Sequence, residues 1–311
     1  MKTNRFLAAA NSTLALMAVL CAAAPSAHAA QITFSAIGPI GANGTFQNLA
    51  VDPTTGKVYV RSSFFGTTVN VYSNRAAFEA GSSFTTLNLA ATTFGTYFTV
   101  NNNQLFARTS ETTTEVASFN ASTGEITATN AGYAGMGGEN FEDTFNWGGF
   151  SGMNFMQDNT GIYVIGGTLA SNNWQIEKLG IGLASTGSMI YNRNTPPGYG
   201  FIINGILFTS NSYDNVNVNN AVNLAPGAVS TVSHQLAGFD IIPYLSSFSY
   251  DYSSDTLYAW DDKSYRFFAA SNASVQFGVA RAANVPEPGS MLLLGLGAAG
   301  LLLVRCKQRA S

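Results

Sequence analysis

Asn48-Leu49-Ala50-Val51-Asp52-Pro53-Thr54-Thr55-Gly56-Lys57-Val58-Tyr59-Val60 reads as a strand, a tight turn and a second strand. The proline presets φ for the turn, the glycine accepts a positive φ at its end, and β-branched and aromatic residues flank both. Thr68 to Tyr72 and Phe84 to Leu89 supply a third and a fourth strand, giving a four-stranded meander. The same opening recurs along the chain. Tyr97 to Val100 turns through Asn101-Asn102-Asn103 into Gln104 to Ala107, with Glu115 to Phe119 and Glu125 to Ala128 behind it. Asn154 to Met156 turns through Asp158-Asn159-Thr160-Gly161 into Ile162 to Ile165, with Trp174 to Leu179 as a later strand. Gly200 to Ile203 turns at Asn204-Gly205 into Ile206 to Thr209, and Ser247 to Asp251 turns into Thr256 to Trp260.

Aligning the second strands by their aromatic residue places Tyr59, Phe106, Tyr163, Phe208 and Tyr258 in phase, at intervals of 47, 57, 45 and 50 residues. That period suits propeller blades and exceeds the usual solenoid coil. The fold expected is therefore all-β: a β-propeller of five four-stranded blades, with a β-sandwich as the alternative. Gln31 to Phe34 pairing beside Ser274 to Phe277 would close the ring and remove the open sheet edge. The Val51 to Val60 unit also resembles the first hairpin of YVTN/NHL-type propeller repeats.

The C-terminal end is organised differently. Val285-Pro286-Glu287-Pro288-Gly289 precedes an apolar run from Ser290 to Val304, and Arg305, Lys307 and Arg309 follow it. The run holds seven leucines, worth together about −4 kcal/mol on an insertion scale before its glycines subtract. It is shorter than the roughly 20 residues of a comfortable span, so its flanks decide the reading. The basic end is a cytoplasmic stop, and the two prolines hold a stiff extended tetrapeptide at the opposite face. This order of features resembles the PEP-CTERM sorting signal of Gram-negative bacteria that make extracellular polysaccharide. The resemblance implies recognition of Pro286, Glu287 and Pro288 by an exosortase, removal of the transmembrane helix, and release or re-anchoring of the body.

The N-terminus agrees with export. Lys2 and Arg5, the apolar Leu14 to Ala24 and the small-x-small Ala27-His28-Ala29 describe a signal peptide cut by signal peptidase before Ala30. The expected division is signal peptide 1–29, body 30–284 and sorting signal 285–311, transiently held in the inner membrane before reaching the cell surface or medium. Both cysteines, Cys21 and Cys306, fall in the end segments, so the body relies on its core and not on disulfides.

The body carries 9 Lys+Arg and 16 Asp+Glu, a net charge of about −7. That balance opposes nucleic-acid binding, which needs cationic surface against phosphate. No residue is assigned a catalytic role. His234, the one histidine of the body, reads as a surface or hydrogen-bonded loop residue, and no nucleophile elbow or transition-metal ligand spacing is present. Asp251, Asp255, Asp261 and Asp262 read as turn formers, although gathered carboxylates leave Ca2+ open. The glycine-rich Tyr133 to Trp147 stretch reads as a long loop on one face, of the kind that tends to be functional. There Phe145 or Trp147 would stack on a sugar ring while Asn140, Glu142 or Asp143 bond its hydroxyls. Two classes of function follow: a non-catalytic surface or matrix protein linked to exopolysaccharide or biofilm, or a secreted hydrolase or lactonase using channel carboxylates and Ca2+.

Overall fold

The computed structural model describes residues 30–38, 48–61, 63, 65–110, 113–136, 153–168, 171–191, 199–211, 216–225, 229–239 and 243–279. The segments read as signal peptide and sorting signal, with Val285, Pro286, Glu287, Pro288, Arg305, Lys307 and Arg309, lie outside them, as do residues 137–152, which include most of the stretch read as a loop. Among the described residues no helix is long and apolar enough to cross a membrane.

The strands fall in four hydrogen-bonded sheets. One is a seven-stranded run of β3 (Asn48–Val51), β4 (Val58–Arg61), β5 (Phe65–Tyr72), β6 (Thr85–Asn101), β7 (Gln104–Arg108), β8 (Val116–Asn120) and β9 (Ile126–Asn130). A second holds β10 (Met153–Asp158), β11 (Gly161–Thr168), β12 (Ser171–Leu179) and β13 (Ser185–Tyr191). In the third, β14 (Tyr199–Ile203), β15 (Ile206–Ser210), β16 (Asn217–Asn223) and β17 (Val229–Ala237) are followed by β1 (Ala30–Thr33). The fourth joins β18 (Leu245–Asp251), β19 (Thr256–Asp261) and β20 (Arg266–Ser271) to β2 (Ser35–Ile37). Successive strands pair antiparallel, and the hairpin turns of the sequence reading are all present.

The innermost strand segments touch in a closed cycle: β3 against β6, β6 against β10, β10 against β14, β14 against β18, and β18 back against β3. Each is enclosed by two neighbours as well as its own sheet, so β3, β10 and β14 are buried at every residue. A strand covered on both faces is a continuous apolar run and not an alternating one. Its side chains still alternate in destination. Leu49 and Val51 pack toward β19 and β20 with Trp260 and Phe267, while Ala50 packs toward β6 and β7 with Phe98 and Leu105.

Among the described residues, five apolar clusters fill the seams between one meander and the next. The five aromatics aligned by phase each fall in a different seam: Tyr59, Phe106, Tyr163, Phe208 and Tyr258. The architecture is a propeller-like all-β fold. Burying one such ring is worth about 1.5–3 kcal/mol, and each ring adds to the cluster that joins its meander to a neighbour.

Two boundaries differ from the sequence reading. First, the fourth strand of the opening meander and the first of the next form one unbroken strand, β6, whose 85–94 part pairs with β5 and whose 99–101 part pairs with β7. Its register slips between Phe94 and Thr99, where Gly95 takes φ 87. The buried Arg61 guanidinium occupies this slip, with Nη1 donating to Gly95 O at 3.1 Å and Nη2 to Thr93 O. Burial pulls its pKa down to about 10. Second, Ser274 to Phe277 is not a strand. Ala273–Gln276 form a short helix, because Asp255 accepts from Ser274 N at 2.9 Å and from Ser274 Oγ at 2.7 Å. The N-terminal segment instead laces two sheets together: β1 runs parallel to β17, and β2 pairs antiparallel with β20. The expected partners still meet, since Thr33 N donates to Gln276 Oε1 at 2.9 Å.

A third element was absent from the sequence reading. Helix α1 (Arg75–Glu79) fills the β5–β6 connection, capped by Asn74 Oδ1 accepting from Ala77 N at 2.9 Å. It exists to seat Phe78, which meets Tyr72 and Phe267 edge-on at 5.3 and 5.5 Å.

Replacing Arg61 with Leu strips two buried carbonyls of their donor, at about 1–3 kcal/mol per unsatisfied group. At this size the thermal midpoint should fall by roughly 5–10 °C. A calorimetric scan showing an unchanged midpoint would deny that Arg61 holds the β6 slip.

Candidate functional site

At one end of the inner strands the chain gathers carboxylates. Asp52, ending β3, is fully buried and accepts from its own turn (Thr54 N at 3.0 Å, Thr55 Oγ1 at 2.9 Å) and from the next hairpin (Asn102 N and Asn103 N, each at 3.1 Å). Asn102 and Asn103 stand at φ 51 and 58, the left-handed turn geometry that points both N–H groups outward. Asp158, ending β10, repeats the arrangement: it accepts from Thr160 N at 2.8 Å and Thr160 Oγ1 at 2.6 Å, and from Gly205 N in the following hairpin. Asp251, ending β18, accepts from Ser253 N at 2.9 Å, Ser253 Oγ at 2.7 Å and Ser254 Oγ.

Tyr252 marks where these ends converge. Burial raises its phenol pKa; the Asn101 amide, donating at 3.3 Å, opposes this, and Asp52, Asp251 and Asp158 each add to the rise. A carboxylate offers about four lone-pair sites. Asp52 has all four engaged, and the other two have three each. Asp52 and Asp158 are latches between neighbouring turns and Asp251 braces its own, with little acceptor capacity left for a reacting group. Among the described residues no group of three or more His, Cys, Asp or Glu is arranged to hold a metal ion. Asp255 and Asp261 serve their turns in the same manner, Asp261 accepting from Tyr244 N at 2.7 Å, Lys263 N at 3.1 Å and Ser264 N at 3.2 Å.

The proposed sugar-contacting residues Trp147, Phe145, Glu142, Asp143 and Asn140 lie outside the described residues. The strands on either side show where their segment attaches. It leaves after Met136, bridged to Thr168 on β11, and returns at Met153 on the inner strand β10. Behind the departure point Glu177 is buried and accepts from Gln175 Nε2 at 2.6 Å, Ser188 Oγ at 2.7 Å and Ser185 Oγ. Gln175 Nε2 also donates to Ala134 O at 2.8 Å, tying the outgoing chain to the sheet.

His234 is neither a loop residue nor well hydrogen-bonded. It sits on β17 opposite Ala30 and Val218, edge-on to Phe208 and Phe277 at 5.9 and 5.1 Å, and its buried Nδ1 has no partner. Alternation along β17 carries it to this face, which sequence reasoning did not assign to a strand. Burial lowers its pKa.

A concave site unforeseen in the sequence lies between the second and third sheets. It is a groove of about 340 Å³ lined by Thr160, Tyr163, Lys178, Gly187, Met189 and Asn223, among others. Register explains its floor: Tyr163, Lys178 and Gly187 are direct partners across β11, β12 and β13, so they share one face. Lys178 Nζ stands 5.8 Å from the Tyr163 ring centroid, a cation–π distance. Tyr163 and Thr160 hydroxyls share a hydrogen bond at 2.8 Å.

Comparisons with known proteins fit this architecture. A model described as the olfactomedin-like domain matches residues 44–272, and a model described as the PEP-CTERM protein-sorting motif matches residues 284–309. No curated protein matches the chain in sequence. Among solved structures, the crystal structure of Myxococcus xanthus glutaminyl cyclase aligns with a TM-score of 0.50 at 14% identity, covering 78% of this chain and 97% of that one. At that identity the likeness is one of fold.

The lowered His234 pKa gives a pH test. Its ring is neutral in both states above the ordinary histidine value of about 6.5. As pH falls below that, the unfolded chain takes up the proton first, so stability is lost down to the lowered folded value. His234→Leu should lose less thermal midpoint than the parent between pH 7 and pH 5; parallel curves would contradict the assignment.

Proposed function

Since the chain belongs to the olfactomedin-like domain family and ends in a PEP-CTERM sorting motif, we infer that it is an exported surface or extracellular-matrix protein whose body binds instead of catalysing. The observation that carries this is the sorting motif at residues 284–309, which targets the chain to an exosortase. Signal peptidase acts at the other end in this reading, before Ala30, and the apolar run after Pro288 is a passing inner-membrane anchor. The basic residues Arg305, Lys307 and Arg309 stay on the cytoplasmic side until the anchor is removed.

The body is read as five four-stranded blades. Counting β6 once for each meander it serves, and β2 as the outer strand beside β20, gives five sets of four, with β1 as an added edge. The family found over the body is the olfactomedin-like domain, and the resemblance of Val51 to Val60 to YVTN/NHL repeats is one of local turn chemistry.

A binding role is favoured by the state of the polar groups. The carboxylates at the strand ends are consumed by turn donors, and the one described histidine is pressed between phenylalanines. The competing reading, a hydrolase or lactonase with Ca2+, asks for convergent carboxylates with spare oxygens. The partner proposed is the extracellular polysaccharide of the producing cell, with the Tyr133 to Trp147 stretch as one contact surface.

Intact mass of the exported protein, from cells with and without the exosortase, tests the processing. The expected result is loss of the leucine-rich run and basic tail only when the enzyme is present, and Glu287→Ala should block that loss. Equal masses in both strains would remove the reading. Trp147→Ala is expected to lower retention on the polysaccharide several-fold at an unchanged thermal midpoint.

A further inference from the structure

We propose that the groove between the second and third sheets binds a carboxylate-bearing sugar unit, a uronic acid, with Lys178 as the carboxylate contact. The assignment rests on the reading of the body as an extracellular glycan binder and supplies the chemistry of one subsite.

Three observations converge. First, Lys178 enters no ion pair among the described residues, although the body is acidic and the one ion pair described there is Arg75 with Glu79 at 2.6 Å. Its stem lies along the turn at Gly161. It passes Gly161, where the backbone stands at φ +150 and a Cβ would come within 2.9 Å of Lys178 Cε, and reaches over Tyr163. An ammonium held over a ring and lacking a carboxylate is a cation presented to a ligand.

Second, the groove is open on its β13 side, at Gly187. Its φ is not positive, and a Cβ built on it meets nothing within 4 Å. The β12–β13 register shifts between Lys178 and Leu179, next to Gly187, and a strand glycine often marks such a bulge; what it leaves here is open space over the sheet. Gly187 is the cross-strand partner of Lys178, so this open space adjoins the lysine's own position on the sheet.

Third, the remaining lining supplies what a sugar ring needs. Met189 and Leu224 offer apolar surface for its C–H face. Asn223 Oδ1 accepts from Ala225 N at 3.1 Å, which orients the amide nitrogen of that side chain as a donor. The volume of about 340 Å³ sits at the lower end of ligand pockets, suiting a single ring and not an extended chain. A neutral hexose would leave the Lys178 charge unanswered; a uronate satisfies it with a charge-assisted contact.

Calorimetric titration of the purified exported protein with sodium glucuronate, glucose and sodium acetate tests this. Glucuronate is expected to bind at least tenfold more tightly than either of the others, the equivalent of one charged hydrogen bond. Lys178→Gln should erase the difference between glucuronate and glucose, Lys178→Arg should keep it, and Gly187→Val should close the groove to both sugars. Equal affinity for glucose, or for acetate, overturns the proposal, as does unchanged glucuronate binding in Lys178→Gln. The wild-type comparison decides even if a variant misfolds. Absence of glucuronate binding with polysaccharide retention intact removes the groove alone; lost retention with glucuronate binding intact removes the wider function instead.

Discussion

Inner strands belonging to different sheets cannot satisfy one another through a shared ladder, and this constraint shapes the whole molecule. β3, β10 and β14 are buried throughout, so backbone groups at their ends that no ladder serves turn to partners inside the protein. Side chains provide them. Gln157 Nε2 donates to Val51 O at 3.2 Å and Val100 O at 2.9 Å, so one amide joins β10 to both β3 and β6. Asn48 Nδ2 donates to Phe98 O at 3.1 Å at the other end of the same strands. The aspartates that end β3 and β10 extend the device to the neighbouring turns. Apolar seams hold the meanders side by side, and these few directed bonds fix their height relative to one another.

This division of labour governs what could be read in advance. The inner hairpins were legible because their turns carry chemistry in single residues: proline and glycine in Pro53 to Gly56, left-handed asparagine and glycine at Asn204-Gly205. The aromatic phase was legible because the second strand of each meander places a ring at the same position in its seam. The outer strands were legible only in part: β5, β8, β9 and β12 were read, whereas β13, β16, β17 and β20 were not. β16 is spelled Asn-Val-Asn-Asn-Ala-Val-Asn, and asparagine is a poor strand former. It is a strand through partners on both sides, which no local propensity announces. β6 escaped for the opposite reason, since the break expected near Phe94 is bridged by a distant arginine.

The candidate site was less legible than the fold. The groove draws Tyr163, Lys178 and Gly187 from three strands and Asn204, Gly205 and Asn223 from the next meander, so only cross-strand register and the seam between sheets assemble it. In sequence, Lys178 is one lysine in a polar strand and Gly187 one of many glycines. The sorting motif, by contrast, is contiguous and is recognised as a linear word, which is why it could be read without any structure.

The edge strand contributed by Ser35–Ile37 has a temporal consequence. It is synthesised early, yet the ladder it completes on β20 lies near the other end of the body, and Thr33 finds Gln276 across a separation of 243 residues. A vectorially delivered chain therefore waits with its first strands unpartnered until almost all of it has emerged. Any anchor that keeps the last residues at the translocation site holds both halves of this clasp in the same small volume, so tethering shortens the search that finishes the molecule.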